Sequence, residues 1–274
     1  MTGDRSLGSV GRSLDRLLGA LLVAGAAATM SACVPSSRLP EGVDPEKVSR
    51  SEYDLAQDEW RNGRLRSAMD HAMKASNADE NHAEAHHFVA ILYLAVCQIE
   101  NDCRFDKAEE FCRKSIAADS EYRPARHTLG IVLLHEKKYD EAIAVLRLLA
   151  EDIIYKTPEL AWYDLGGAYL AKGDTDKAID ALHRALALKP DFCWANYRLG
   201  LAFEAKGDLA KAQEELSHAV EPKDPACHNL QDAYEARGRI RGRTGQKILA
   251  RQDYEMCVKI SLATPAGKSC AAML

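Results

Sequence analysis

Residues 159–192 read ELAWYDLGGAYLAKGDTDKAIDALHRALALKPDF. Trp162, Leu165, Gly166 and Tyr169 occupy the first half, Gly173-Asp174 makes a turn, and Ala178, Leu182, Ala185 and Pro190 follow. The alanine recurs at one place in a pattern about 34 residues long, as Ala68, Ala108, Ala142, Ala178, Ala212 and Ala250. Twelve residues before five of these stands a second small residue: Ala56, Gly130, Gly166, Gly200 and Gly238. Ala90 holds that place eighteen residues before Ala108, because this unit carries an insertion. Two small residues at such a spacing let two antiparallel helices pack closely. One helix pair cannot bury its apolar face alone, so copies must stack. The periodicity therefore predicts an all-α solenoid of helix pairs.

The neighbouring units follow outward. Residues 193–226 keep Leu199, Gly200, Phe203, Ala212, Leu216 and Ala219, and residues 123–156 keep Leu129, Gly130, Leu133, Ala142 and Leu146. Residues 83–122 keep Val89, Ala90, Tyr93, Ala108 and Ser115. The outer units, 49–82 and 231–264, depart from the pattern, with Glu59, Arg237 and Arg241 at places where apolar or aromatic residues are expected. Terminal repeats are often atypical because one side meets water. Six units with insertions of 6, 2 and 4 residues account for 49–264, and residues 265–274 are left as a short C-terminal cap.

In order and spacing, Trp162, Leu165, Gly166, Tyr169, Ala178, Leu182, Ala185 and Pro190 resemble the tetratricopeptide repeat. The resemblance implies a right-handed superhelix of six repeats whose first helices line a concave groove. Carried onto this chain, the inward positions include Tyr53, Trp60, His87, Phe88, Ile91, Leu94, Ile131, Leu134, Tyr163, Trp194, Tyr197 and Leu201. Such grooves place Asn and Lys at the ninth and thirteenth positions. Here Ile91, Ile131 and Leu201, then Ala95, Ala171 and Ala205, stand there. A second apolar face of this kind marks an interaction site for an apolar strand or amphipathic helix. The competing reading is a curvature tight enough to close the groove on itself.

The N-terminus reads as an address. Arg5, Arg12 and Arg16 precede an uncharged run of 14 residues, 17–30. That is short for a membrane span, which needs about 20 residues, and suits a signal peptide, residues 1–32. Met30-Ser31-Ala32-Cys33 resembles a bacterial lipobox, which implies lipid on Cys33 and a membrane anchor; ordinary cleavage beside an incidental Cys is the other reading. The Pro- and Ser-containing stretch to residue 48 reads as a tether. Val34 rather than Asp follows the cysteine, which by the same resemblance points to the outer membrane, on its periplasmic side.

Seven cysteines remain in a compartment that would be oxidising. Cys97 and Cys103 flank the insertion of unit two, Cys193 and Cys227 lie on one edge at helix entries, and Cys257 and Cys270 join the last unit to the cap. These are the disulfide candidates, one arrangement among the 15 that six cysteines allow, with Cys112 buried and free. Several could instead be small buried hydrophobes. With 41 acidic against 36 basic residues the net charge is −5, and removal of residues 1–32 leaves −6, which argues against general nucleic-acid binding.

No catalytic constellation is convincing. His82, Glu84, His86 and His87 lack the Glu directly after the first His that a zinc protease helix needs, since Ala83 stands there. No metal, cofactor or small-molecule substrate is expected, and the chain is expected not to be an enzyme. The basic run Arg237, Arg239, Arg241, Arg243 and Lys247 reads as a solvated end surface, or as one that meets acidic groups. The layout, a lipidated tether followed by repeats over about four-fifths of the chain, resembles the pilotins of type IV pili, most of all the Tgl type. That resemblance implies an outer-membrane lipoprotein that binds secretin subunits and promotes assembly of the secretin ring, and hence pilus-dependent motility. The alternative is a lipoprotein adaptor that gathers periplasmic peptidoglycan enzymes or a protease.

Overall fold

In a computed structural model, which describes residues 42–220, 227 and 229–274, the first helix begins at Pro45. The Asp44 carboxylate accepts the Glu46 backbone N–H at 3.1 Å, Pro45 fills a position whose N–H would be unsatisfied anyway, and Glu46 favours the helix N-terminus. The chain therefore turns helical four residues ahead of Ser49, inside the stretch read as tether. The signal segment, Cys33 and the tether up to residue 41 lie outside the described residues. Every described residue belongs to the compact unit Ser37–Leu274.

Among the described residues thirteen α-helices follow in order, with no strand: α1 Pro45–Arg61, α2 Leu65–Ala78, α3 Ala83–Glu100, α4 Phe105–Ala118, α5 Arg123–His135, α6 Tyr139–Ala150, α7 Pro158–Lys172, α8 Thr175–Leu188, α9 Cys193–Lys206, α10 Leu209–Val220, α11 Gln231–Arg243, α12 Lys247–Ile260 and α13 Pro265–Ala271. Odd and even helices pair as six antiparallel hairpins, each packed on the next. The first helices of successive repeats also touch: α3 with α5, α5 with α7, α7 with α9, and α9 with α11. No comparably close row joins the second helices, so the stack bends and the first helices line its inner side. In five repeats the turn after the first helix has a left-handed residue at the same place: Gly63, Lys137, Gly173, Gly207 and Gly245. Of these five, Lys137 alone takes that conformation with a Cβ, which raises its cost, as it does at Asn101, the C-cap of α3.

Packing inside each hairpin obeys a size rule. A Cβ added to Gly130, Gly166 or Gly200 would come within 2.5–2.6 Å of Leu146, Leu182 or Leu216. At Gly238 it would meet the Tyr254 ring at 2.7 Å. In the first two repeats an alanine replaces the glycine, and the opposing place shrinks to match: Ala56 goes with Ala72, and Ala90 with Cys112. Cys112 is thus a volume-matched core residue. Burial pushes its thiol up to about 12, which leaves it unreactive. Gly166→Ala is expected to cost about 1–3 kcal/mol by overpacking. Combining it with Leu182→Cys, the pairing of repeat two, should destabilise by less than the sum of the single changes. Urea unfolding of the three variants measures this coupling, and strict additivity would contradict the rule.

Disulfides join Cys97 to Cys103 at the end of α3, Cys193 to Cys227 across consecutive repeats, and Cys257 to Cys270 between α12 and α13. The last bond holds α13 over the end of the stack. Gln231 adds to it: its amide donates to the carbonyls of Cys257 and Ser261, and its oxygen accepts from Thr264, the N-cap of α13.

Repeat six replaces two apolar core positions with charge. Arg237 is buried and donates to Asp253 Oδ1 from Nη2 at 2.7 Å, while Arg241 donates to Asp253 Oδ2 at 2.9 Å. Arg237 Nη1 also donates to Ser217 Oγ in the preceding repeat at 3.2 Å. On the other side of α11, Arg239 and Arg243 both donate to Glu204, and Arg239 also to Glu235. The basic run is therefore no free cationic surface. Carboxylates of α9, α11 and α12 take up these four guanidinium groups, two of them in the packed side of the hairpin.

Candidate functional site

The inner face is built from a ladder between repeats. In each of the first four repeats the fifth residue meets the sixth residue of the next repeat. Tyr53 stands edge-on to Phe88 with ring centroids 5.8 Å apart. His87 Nε2 and Thr128 Oγ1 are 2.8 Å apart, and His127 Nε2 and Asp164 Oδ2 are 2.9 Å apart. The Arg198 guanidinium lies 3.7 Å over the Tyr163 ring and also donates to the Tyr163 carbonyl and to Asp164. Four of these rungs are roofed by a ring from the loop that precedes the next repeat: His82 over Tyr53, Tyr122 over His87, Tyr155 against His127 and Phe192 over Tyr163. The rung partners lie 35 to 41 residues apart in the chain.

This ladder divides the expected groove residues. His87 and Phe88 are buried between repeats, so the ladder takes most of the surface that the groove reading gave them. Tyr53, Tyr163 and Tyr197 are half-buried; Tyr53 and Tyr163 serve as rungs, and burial pushes the Tyr197 hydroxyl up to about 12. Ile91, Leu94, Ile131, Leu134 and Leu201 remain half-buried on the next turns of the first helices, joined by Leu170. Trp60 and Trp194 are 37% and 42% exposed, at the two ends of this row. None of these side chains carries a charge. Ile91 and Ile131 stand outside the core clusters, so stacking does not consume them. The inner face thus carries an apolar stripe over repeats two to five, narrowed because the ladder takes its upper edge and crossed in repeat four by the Arg198 guanidinium, which lies over Gly167 and is paired with Asp164.

The histidine cluster makes hydrogen bonds within and between repeats. His86 Nδ1 is 2.8 Å from Ser76 Oγ and its Nε2 is 3.0 Å from the Glu80 carbonyl oxygen, so both ring nitrogens are used. His82 Nδ1 is 2.6 Å from Ser49 Oγ, whose hydroxyl lies 2.8 Å from the Ala75 carbonyl oxygen. Among the described residues no three His, Cys, Asp or Glu side chains converge on one point.

His87 has a measurable consequence. Burial, with a smaller repulsion from His127, pushes its imidazolium down to about 4. The unfolded chain binds that proton from about pH 6.5 downward. Between those values the unfolded state holds more protons, so stability falls as pH drops, by roughly 3 kcal/mol at the lower end. Urea midpoints at pH 7 and pH 4.5 should show this fall, and His87→Gln should flatten it. An unchanged slope in the variant would refute the assignment.

The family description "TPR repeat" matches residues 166–207, and "Tetratricopeptide repeat" matches residues 195–221. No curated protein sequence matches the chain. Among solved structures the chain is similar to PilW, described as a widely conserved type IV pilus biogenesis factor. The two are 19% identical with a TM-score of 0.69, over 82% of this chain and 99% of that one. It is also similar to PilF of Pseudomonas aeruginosa, at 16% identity and a TM-score of 0.65, over 84% and 99% of the two chains. MamA protein is 26% identical with a TM-score of 0.54, over 64% and 91%. The likenesses to PilW and PilF establish the fold: six tetratricopeptide repeats with a short helical cap.

Proposed function

We propose that this chain is a non-catalytic binding scaffold of type IV pilus biogenesis, a pilotin that binds secretin subunits and promotes their assembly into the outer-membrane ring. The uncharged inner stripe of Ile91, Leu94, Ile131, Leu134, Leu170 and Leu201 carries this reading. A groove lined in this way selects an apolar strand or the apolar side of a helix, since the guanidinium beside it, that of Arg198, is already taken up by Asp164. A secretin subunit awaiting its neighbours presents a membrane-inserting segment of that chemistry. The fold shared with PilW, a type IV pilus biogenesis factor, supports the same process.

In this reading Cys33 carries the lipid, residues 1–32 are removed, and the repeats stand on the periplasmic side of the outer membrane. The anchor keeps the groove where secretin subunits insert. Deleting the gene is the test: heat-stable secretin oligomers should disappear, together with pili and pilus-dependent motility. Normal oligomers and normal pili would refute the proposal. Cell-shape defects with co-purification of a peptidoglycan hydrolase would instead identify an adaptor.

A further inference from the structure

The outer side of the stack carries a second surface. Ile153 is 98% exposed at the crest of the loop between α6 and α7, and Leu148, on the last turns of α6, is 72% exposed. Beside them a groove of about 700 Å³ opens between α4, α5 and α6. Ile116, Leu129, Val145 and Leu148 form its apolar lining, and Arg113, Arg126 and Asp152 also line it, with Arg113 paired to Glu109 and Glu141.

The crest is held rigidly. Asp152 accepts from Arg123 Nε at 2.6 Å and from the Ile154 backbone N–H at 2.9 Å, and Tyr155 Oη is 3.1 Å from His127 Nδ1. A fixed apolar projection of this kind loses little freedom when it is buried. Its charges also complement the groove. Glu151, exposed next to the crest, makes no ion pair among the described residues. Arg126 donates to the Ser120 carbonyl and makes no ion pair among the described residues, while its charge acts on Asp152 at longer range.

One surface thus holds an apolar projection flanked by Glu151 beside an apolar groove with the Arg126 guanidinium at its rim. A two-fold axis between them would seat each projection in the other copy's groove, as an isologous interface requires. We propose that two copies of this chain associate through this outer surface, with Ile153 of each in the groove formed by Ile116, Val145 and Leu148 of the other, and Glu151 of each facing Arg126. The inner groove stays open in such a pair.

Sedimentation of the full chain over a range of concentrations tests the proposal. A monomer–dimer equilibrium is expected, and Glu151→Arg or Arg126→Glu alone should weaken it by at least tenfold. Combining the two reverses both charges and should restore dimerisation, which a variant that merely misfolds would not do. Ile153→Asp should leave only monomer while the helical circular dichroism is unchanged. A chain that is monomeric at every concentration, or a dimer indifferent to Ile153→Asp and to both charge reversals, would overturn it.

Discussion

Asp253→Ala is expected to destabilise the C-terminal repeat by about 3–5 kcal/mol, the largest effect of any single substitution on the fold. The carboxylate is almost fully buried and is bonded to the guanidinium groups of Arg237 and Arg241. Removing it leaves two cations in the packed side of the α11–α12 hairpin without that counter-charge. A buried charge stripped of its partner costs more than a missing methylene. A core leucine truncated to alanine costs about 2–5 kcal/mol, and here the loss falls on two groups at once. The position already has little reserve, since Arg241 Nε is buried without a hydrogen-bond partner.

Each repeat of a solenoid contacts only its neighbours, so the loss should stay local. Hydrogen exchange of the Asp253→Ala chain should show lost protection in α11, α12 and α13, while α3 to α6 keep theirs. Urea unfolding should show the C-terminal repeat melting first. A change below 1 kcal/mol, or a uniform loss of protection along the stack, would contradict this role.

The hairpins were legible in the sequence because each obeys a local rule within one repeat. A glycine such as Gly166 stands sixteen residues before the leucine it admits, and the pattern recurs. Arg237 and Asp253 share that spacing of sixteen, so their pairing left a signal too. A run of arginines read by itself looks solvated, because charge is usually on the surface. Only the position of Arg237 and Arg241 within the repeat says that they point into the hairpin. The ladder was less legible. The environment of His87 is set by Tyr122 and Thr128, which the six-residue insertion of repeat two separates from it. Phe88 likewise looks available until the curvature that brings Tyr53 against it is known. Ile131 and Leu201 stand two turns or less beyond the ladder, and their apolar character at positions usually polar was visible from the repeat alone.

The second large effect is on binding. Ile131→Asp places a carboxylate in the middle of the uncharged stripe. Ile131 is half-buried and outside the core clusters, so the charge reaches water in the free protein and the stack is expected to keep its helical content and melting temperature. An apolar partner segment laid over the same place would bury that charge without a counter-ion. Even a small share of the cost of burying an unpaired charge exceeds 1.4 kcal/mol, or tenfold in affinity. Ile91→Asp should act in the same way one repeat earlier. A charge on the outer side of the stack should leave partner binding unchanged.

Co-purification of secretin subunits with the full-length chain, compared between the native protein and Ile131→Asp at equal expression and equal helical content, tests the central claim most directly. Secretin is expected to accompany the native chain and to be reduced at least tenfold with Ile131→Asp. Undiminished secretin on a correctly folded Ile131→Asp chain, or none on the native one, would contradict it.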